Sequence, residues 1–197
     1  MGQIKIGIVS LCLISLQQVF AQAAGPDFSR KGLFISQTTI SPGYLFSEQL
    51  MSAYFHPSVE YFFENRVSIR TDGYYFFTTQ GDTKPLRTNH NILLGASYHV
   101  NKEKSDFYFA WQPGISFAQL NDYTEQDSLI TNPRLKIAPM FTFTTGYNYY
   151  FLKYLNFFVS VNYLHGTHIP DFGEARPLDE IRFSAGLGWN LQFEKKK

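Results

Sequence analysis

The sequence predicts an all-β protein, an eight-stranded antiparallel up-and-down transmembrane β-barrel. Three observations carry that reading: apolar and polar residues alternate with a period of two along most of the chain, aromatic residues are in excess, and the links between alternating segments are short and long by turns. Charged residues make up 17% of the 197 positions and aromatics 18%, with 20 Phe and 13 Tyr. Charge is traded for rings that suit a membrane interface, where ring faces meet hydrocarbon and hydroxyls meet headgroups.

The first residues read as a cleaved leader spanning 1–23. Lys5 supplies a positive start, Ile6 to Leu16 an apolar run, and Ala21-Gln22-Ala23 a small-residue cleavage site. The run is shorter than the roughly 20 apolar residues a spanning helix needs. Cys12 is the only cysteine and would leave with the leader, so residues 24–197 are expected to form one barrel domain without disulfide, cysteine metal site or thiol nucleophile. Without Lys5, basic and acidic residues balance, which argues against a nucleic-acid partner.

Each strand is justified in turn. The first, Leu33 to about Phe46, shows no clear face. In the second, Met51, Ala53, Phe55, Val59, Tyr61 and Phe63 oppose Ser52, Tyr54, His56, Ser58 and Glu60. The third sets Val67, Ile69, Tyr75 and Phe77 against Ser68, Arg70, Asp72 and Tyr74, and the fourth sets Ile92, Leu94, Ala96, Tyr98 and Val100 against Asn91, Gly95, Ser97 and His99. The fifth runs Phe107, Phe109, Trp111, Ile115, Phe117; the sixth Leu135, Ile137, Phe141, Phe143, Tyr147; the seventh Leu155, Phe157, Val159, Val161, Tyr163. From Ile181 to Phe193 every odd residue is apolar and every even one polar or small, making the eighth.

Short links fall at Glu64-Asn65, Asn101 to Ser105 and Tyr150 to Tyr154. Longer ones fall near Ser41 to Gln49, Thr78 to Thr88, Leu120 to Pro133 and Gly166 to Asp179. An even strand number puts both termini at the short-turn end, expected to be periplasmic. A soluble barrel with the large face inward is excluded by volume, because eight strands enclose room for side chains or one small ligand only. Turned outward, the large residues meet lipid and leave a polar, plugged interior with no open pore. Tyr61, Phe63, Tyr98, Phe107, Tyr147, Tyr149, Phe157 and Phe193 then ring one rim, and Phe77, Phe117, Tyr163 and Phe183 the other. Pro57, Pro113 and Pro139 inside strands are expected to mark bulges.

This pattern, with a last strand ending Leu191-Gln192-Phe193, resembles the small bacterial outer-membrane β-barrel proteins, including the outer-membrane protein X family. The resemblance implies a monomeric outer-membrane barrel with a structural, interaction or envelope-maintenance role. Its implied partners are lipid and lipopolysaccharide, the barrel-assembly machinery during biogenesis, and a protein at the outer loops. A place as accessory subunit of a larger outer-membrane complex is a further alternative.

Two groups of residues could carry chemistry. Glu60, Arg70, Asp72, Lys136, Arg182 and His99 point inward by parity, with Glu60 and Arg70 at matching height on one hairpin, and read as a plugging ion-pair network. His165, Thr167, His168, Asp171, Glu174, Asp179 and Glu180 gather around the last long link. Of these, His165, Thr167 and Asp179 continue the lipid-facing parity. Their spacing resembles the outer-membrane lipid A deacylase family, with Thr167 where that family has Ser. The resemblance implies His165 as general base, Thr167 as nucleophile and Asp179 as the group orienting the base. His168, Asp171 and Glu174 read as solvated loop residues, so no metal is expected, and no phosphate-binding loop points to a cofactor.

Overall fold

The computed structural model describes residues 29–79, 86–120, 134–169 and 175–193. The leader of residues 1–23 lies outside them. Eight long strands form, β1 (Leu33–Leu45), β2 (Leu50–Glu64), β3 (Val67–Thr79), β4 (Leu86–Lys102), β5 (Ser105–Leu120), β6 (Lys136–Tyr149), β7 (Leu155–His168) and β9 (Glu180–Gln192). A two-residue strand β8 (Arg176–Pro177) pairs with Thr167 and His168 of β7. Every long strand pairs antiparallel with its sequence neighbour, and β1 pairs with β9, so the meander closes into a barrel.

Turns at 65–66, 103–104 and 150–154 share one end with residues 29–32 and with Phe193, whose N–H donates to Gly32 O at 3.0 Å. The other end carries 46–49 and the strand ends Thr79, Leu86, Leu120, Lys136, His168 and Glu180. The 46–49 link is shorter than the sequence predicts, because β1 pairs with β2 through Pro42, Gly43 and Tyr44 up to Leu45.

Odd residues of β1 face inward and even ones outward, which the sequence left open: Leu33, Ile35, Gln37, Ser41 and Leu45 are buried and Thr38, Ile40 and Pro42 exposed. Elsewhere the inward face is the one the alternation predicts. Leu94, Phe109, Trp111, Ile115, Phe143, Leu187 and Trp189 all lie outside with 41% to 64% of their surface exposed. A molecule that leaves such residues uncovered all round has its apolar solvent outside.

The interior is not polar throughout, contrary to expectation. Near the long-loop end it holds Leu45, Phe76, Leu86, Leu93, Leu120, Met140, Leu164 and Leu178, and near the short-turn end Leu33, Ile35, Phe62 and Tyr150. Glu60, Arg70 and Asp72 lie between these apolar clusters, whereas Glu180 is level with Leu45 and Leu164, its ladder partners, and Arg30 lies over Tyr150. Alternation along a strand encodes the face of a residue and says nothing of its height.

The in-strand prolines do not mark bulges, which is a second correction. Register shifts fall at Ala53/Tyr54, Phe62/Glu64 and Leu86/Thr88. Pro57 and Pro113 each interrupt the ladder toward one neighbour only, and the register resumes unchanged beyond them. Pro139 lies one residue outside the last β6–β7 pair, Met140 with Gly166. The reason is local: in an antiparallel sheet the N–H and C=O of one residue address the same neighbour, so a missing donor costs one side alone.

Candidate functional site

The interior residues form a connected array. The Arg70 guanidinium donates to both oxygens of Asp72, at 2.8 and 3.0 Å, and lies 3.6 Å from Glu60, its cross-strand partner. Glu60 accepts from Ser68 and meets His99 Nε2 at 2.9 Å. The other nitrogen of His99 meets Asp106 at 3.0 Å, and Asp106 accepts from Tyr150 and lies 3.6 Å from Arg30. With both carboxylates ionised and able only to accept, both ring nitrogens of His99 donate. Arg70 also donates to Tyr108 Oη at 3.2 Å.

A second group sits toward the long-loop end. Arg182 donates to Glu180 at 2.6 Å while its guanidinium lies 3.6 Å from the Tyr54 ring centre and 4.4 Å from that of Tyr74. Glu180 also accepts from Tyr54 Oη at 2.8 Å and from Ser52. All of these ionised groups are fully buried, and pairing is what makes that tenable.

Of the inward ionisable residues named from sequence, Glu60, Arg70, Asp72 and His99 share the first group and Arg182 belongs to the second. Lys136 is half-buried at the long-loop mouth, opposite Ala118, away from both. Sequence reasoning missed Asp106 and placed Glu180 with the outer loop, although both have the inward parity of their strands. Arg30 precedes β1 and carries no parity signal.

On the outer wall, His165 Nδ1 and Asp179 Oδ1 are 2.6 Å apart, and Tyr163 Oη donates to Asp179 Oδ2 at 3.4 Å. The Phe141 ring packs 5.0 Å from the imidazole. Thr167 lies on the same face of β7 two residues on, about 7 Å along the strand. Among the described residues no hydrogen bond joins Thr167 to His165. His168 points into the barrel and is buried. Asp171 and Glu174 lie outside the described residues.

The aromatic residues predicted for the rims all sit on the outer face. At the short-turn end Phe107 packs on Tyr147 at 4.7 Å between ring centres and Tyr61 on Phe63 at 5.2 Å, and Phe193 meets Phe34 at 6.0 Å. Tyr98, Tyr149 and Phe157 complete that band. Phe77, Phe117, Tyr163 and Phe183 lie toward the other end, where Phe77 packs against Phe55 and Tyr75.

No protein-family model matches the chain, and no curated protein matches it. Solved structures do. The outer membrane protein OprG from Pseudomonas aeruginosa superposes with a TM-score of 0.60 at 11% identity, over 83% of this chain and 97% of that one. Neisserial surface protein A superposes with a TM-score of 0.56 at 14% identity, over 83% and 98%. At such identities the likeness is one of fold, and the fold is the closed antiparallel barrel of small outer-membrane proteins.

Proposed function

We propose that the chain is an integral barrel of a bacterial outer membrane whose interior is plugged, with a structural, interaction or envelope-maintenance role. The observation that carries this reading is the pairing of an uncovered apolar outer face with an interior filled by fixed ion pairs and two apolar clusters. An ion crossing the barrel would have to break the Arg70–Asp72 and His99–Asp106 contacts and leave buried charges unpaired. Both termini then lie in the periplasm, and the long links face outward toward lipopolysaccharide or a protein partner. The aromatic-ended last strand is what the assembly machinery would read.

The test is reconstitution of the purified chain into a planar bilayer. It should insert as a heat-modifiable barrel and give no stepwise conductance. Regular single-channel steps, or a folded product that stays in water without detergent, would overturn the reading.

One observation favours a second reading, a lipid acyl-ester hydrolase on the outer wall: the 2.6 Å contact of His165 with Asp179 on the lipid-facing side. There Asp179 holds the imidazole and His165 would deprotonate Thr167 once substrate draws the hydroxyl in. Release of fatty acid from lipid A by the protein in detergent, abolished by His165→Ala, is the expected result. No release by the unaltered chain ends this reading and leaves the first intact.

A further inference from the structure

The barrel wall has a break where its first and last strands meet. The β1–β9 ladder runs from Leu33 with Gln192 to Gln37 with Gly188, stops, and resumes in the same register at Gly43 with Arg182. Residues 38–42 and 183–187 lie opposite each other without ladder pairing, while β1 stays paired with β2 along this stretch.

The cause can be read from backbone direction. Phe46 N–H donates to Asp179 O and Phe193 N–H to Gly32 O, so even residues of β1 and odd residues of β9 address this seam. Pro42 is an even residue of β1 and has no N–H to give Phe183. Further along, the Thr39 hydroxyl takes the Ala185 carbonyl at 2.7 Å, a side chain standing where a ladder bond would be. The N–H of Ala185 shares the direction of its carbonyl and points into the seam.

Immediately behind the break lies a chain of three side chains. Ser184 Oγ is 2.9 Å from His56 Nδ1, and His56 Nε2 is 2.7 Å from Asp72 Oδ1. Arg70 and Gln112 hold the Asp72 carboxylate from the other side, Gln112 at 2.6 Å, and Tyr74 stacks on His56 with 4.1 Å between ring centres. The tautomer follows: Nε2–H donates to Asp72, so Nδ1 accepts from Ser184. Ser41, on the facing edge of the seam, reaches Ser184 Oγ at 2.6 Å and His56 Nδ1 at 3.2 Å. A hydroxyl bonded to an imidazole that a buried carboxylate orients, with the next residue's N–H aimed at the same opening, is the arrangement of an acyl-transfer site.

We propose that the β1–β9 seam is an ester-hydrolysing site in which Ser184 is the nucleophile, His56 its base and Asp72 the positioning residue, acting on acyl esters that enter from the lipid side. Ser184 Oγ attacks the ester carbonyl carbon as its proton passes to His56 Nδ1. The Ala185 N–H receives the oxyanion. Collapse breaks the bond to the alkoxy oxygen, which leaves with the proton from His56. Water, deprotonated by His56, then releases the acyl group as a carboxylic acid and returns the proton to Ser184. Thr39 acts as the latch, since its bond to the Ala185 carbonyl must open to admit an ester. This site is distinct from the outer-wall pair of His165 and Asp179, and either can fail without the other.

The test is covalent labelling of the folded chain in detergent with a long-chain alkyl fluorophosphonate, read by intact mass and peptide mapping. One adduct on Ser184 is expected. His56→Asn should slow its formation by about 100-fold or more. Asp72→Asn should also slow it and Asp72→Glu restore part of the rate, which a purely structural role would not produce. The map of the unaltered chain is decisive even where a variant fails to fold. No adduct on the folded protein, an adduct only after unfolding, or an adduct on Ser41, Thr167 or any other residue overturns the proposal.

Discussion

Arg182 and Glu180 stand two residues apart on the same edge of β9, joined at 2.6 Å with neither side chain exposed. Charge that close and that deep is stable only as a pair. Removing Arg182 alone, as Arg182→Met, leaves the Glu180 carboxylate buried with neutral donors and should destabilise the barrel by about 3–5 kcal/mol. The double variant Glu180→Gln/Arg182→Met should recover most of that loss. Urea unfolding followed by tryptophan fluorescence in a fixed detergent measures both, and equal losses in the single and double variants would contradict the pairing.

The direction of the outer face makes a depth-dependent prediction. Leu94 lies midway along β4, opposite Thr71 of β3, whereas Val100 is two residues before the end of that strand, beside the 103–104 turn. Both are more than half exposed. If lipid covers this face, Leu94→Arg should cost about 2–4 kcal/mol and Val100→Arg about 0–1 kcal/mol. In a water-covered barrel both changes would be close to neutral, so equal small effects would remove the membrane reading.

Close packing of the wall makes a third. A Cβ on Gly95 would strike the Trp111 carbonyl and stand 2.6 Å from Gln112 Cα, both backbone groups of the adjoining strand that no rotamer change can move. A Cβ on Gly73 would meet nothing nearer than Pro57 Cγ at 3.5 Å. Gly95→Ala should therefore cost roughly 3 kcal/mol or more. Gly73→Ala should be neutral or gain up to about 1 kcal/mol from the stiffer unfolded chain. Fold yield and urea midpoints decide it, and the reverse ranking would show that the β4–β5 register is wrong.

How much of this was legible in the sequence depends on which physical quantity each feature follows. Faces of β2 to β7 and of β9 were readable because large residues such as Phe107, Phe109 and Trp111 recur with the period of the pleat, whereas the two-residue β8 lies inside what reads as a link. The face of β1 was not, since its outward positions include Ser36, Thr38 and Pro42 while Leu33, Ile35 and Leu45 point in. The Glu60–Arg70 contact was readable because both residues sit on one hairpin with a two-residue turn. The apolar layers were hidden because they depend on height, and Leu93 or Leu164 interrupts a polar parity without announcing why. The seam depends on a pairing of strands about 140 residues apart, for which no local pattern speaks.

That seam supplies the last prediction. If Pro42 and the Thr39 hydroxyl keep β1 and β9 from pairing between residues 38 and 42, the amides that address the break should exchange with solvent deuterium far faster than their neighbours. Thr38, Ile40 and Ala185 point into it, while Thr39 and Ser41 point at β2, where the ladder is complete. Alternate fast and slow amides along a single strand are thus expected, in contrast to the uniform protection of Phe157 to Leu164 in β7, paired without a gap on both sides. Pro42→Val returns the missing donor opposite Phe183, and combined with Thr39→Val, which frees the Ala185 carbonyl, it should slow exchange at Ile40 by tenfold or more, about 1.4 kcal/mol of added local stability. Amide-resolved exchange by NMR in micelles reads this directly. Uniform protection of residues 37–43 in the unaltered chain would mean that the two strands are zipped, and the latch assigned to Thr39 would have nothing to hold.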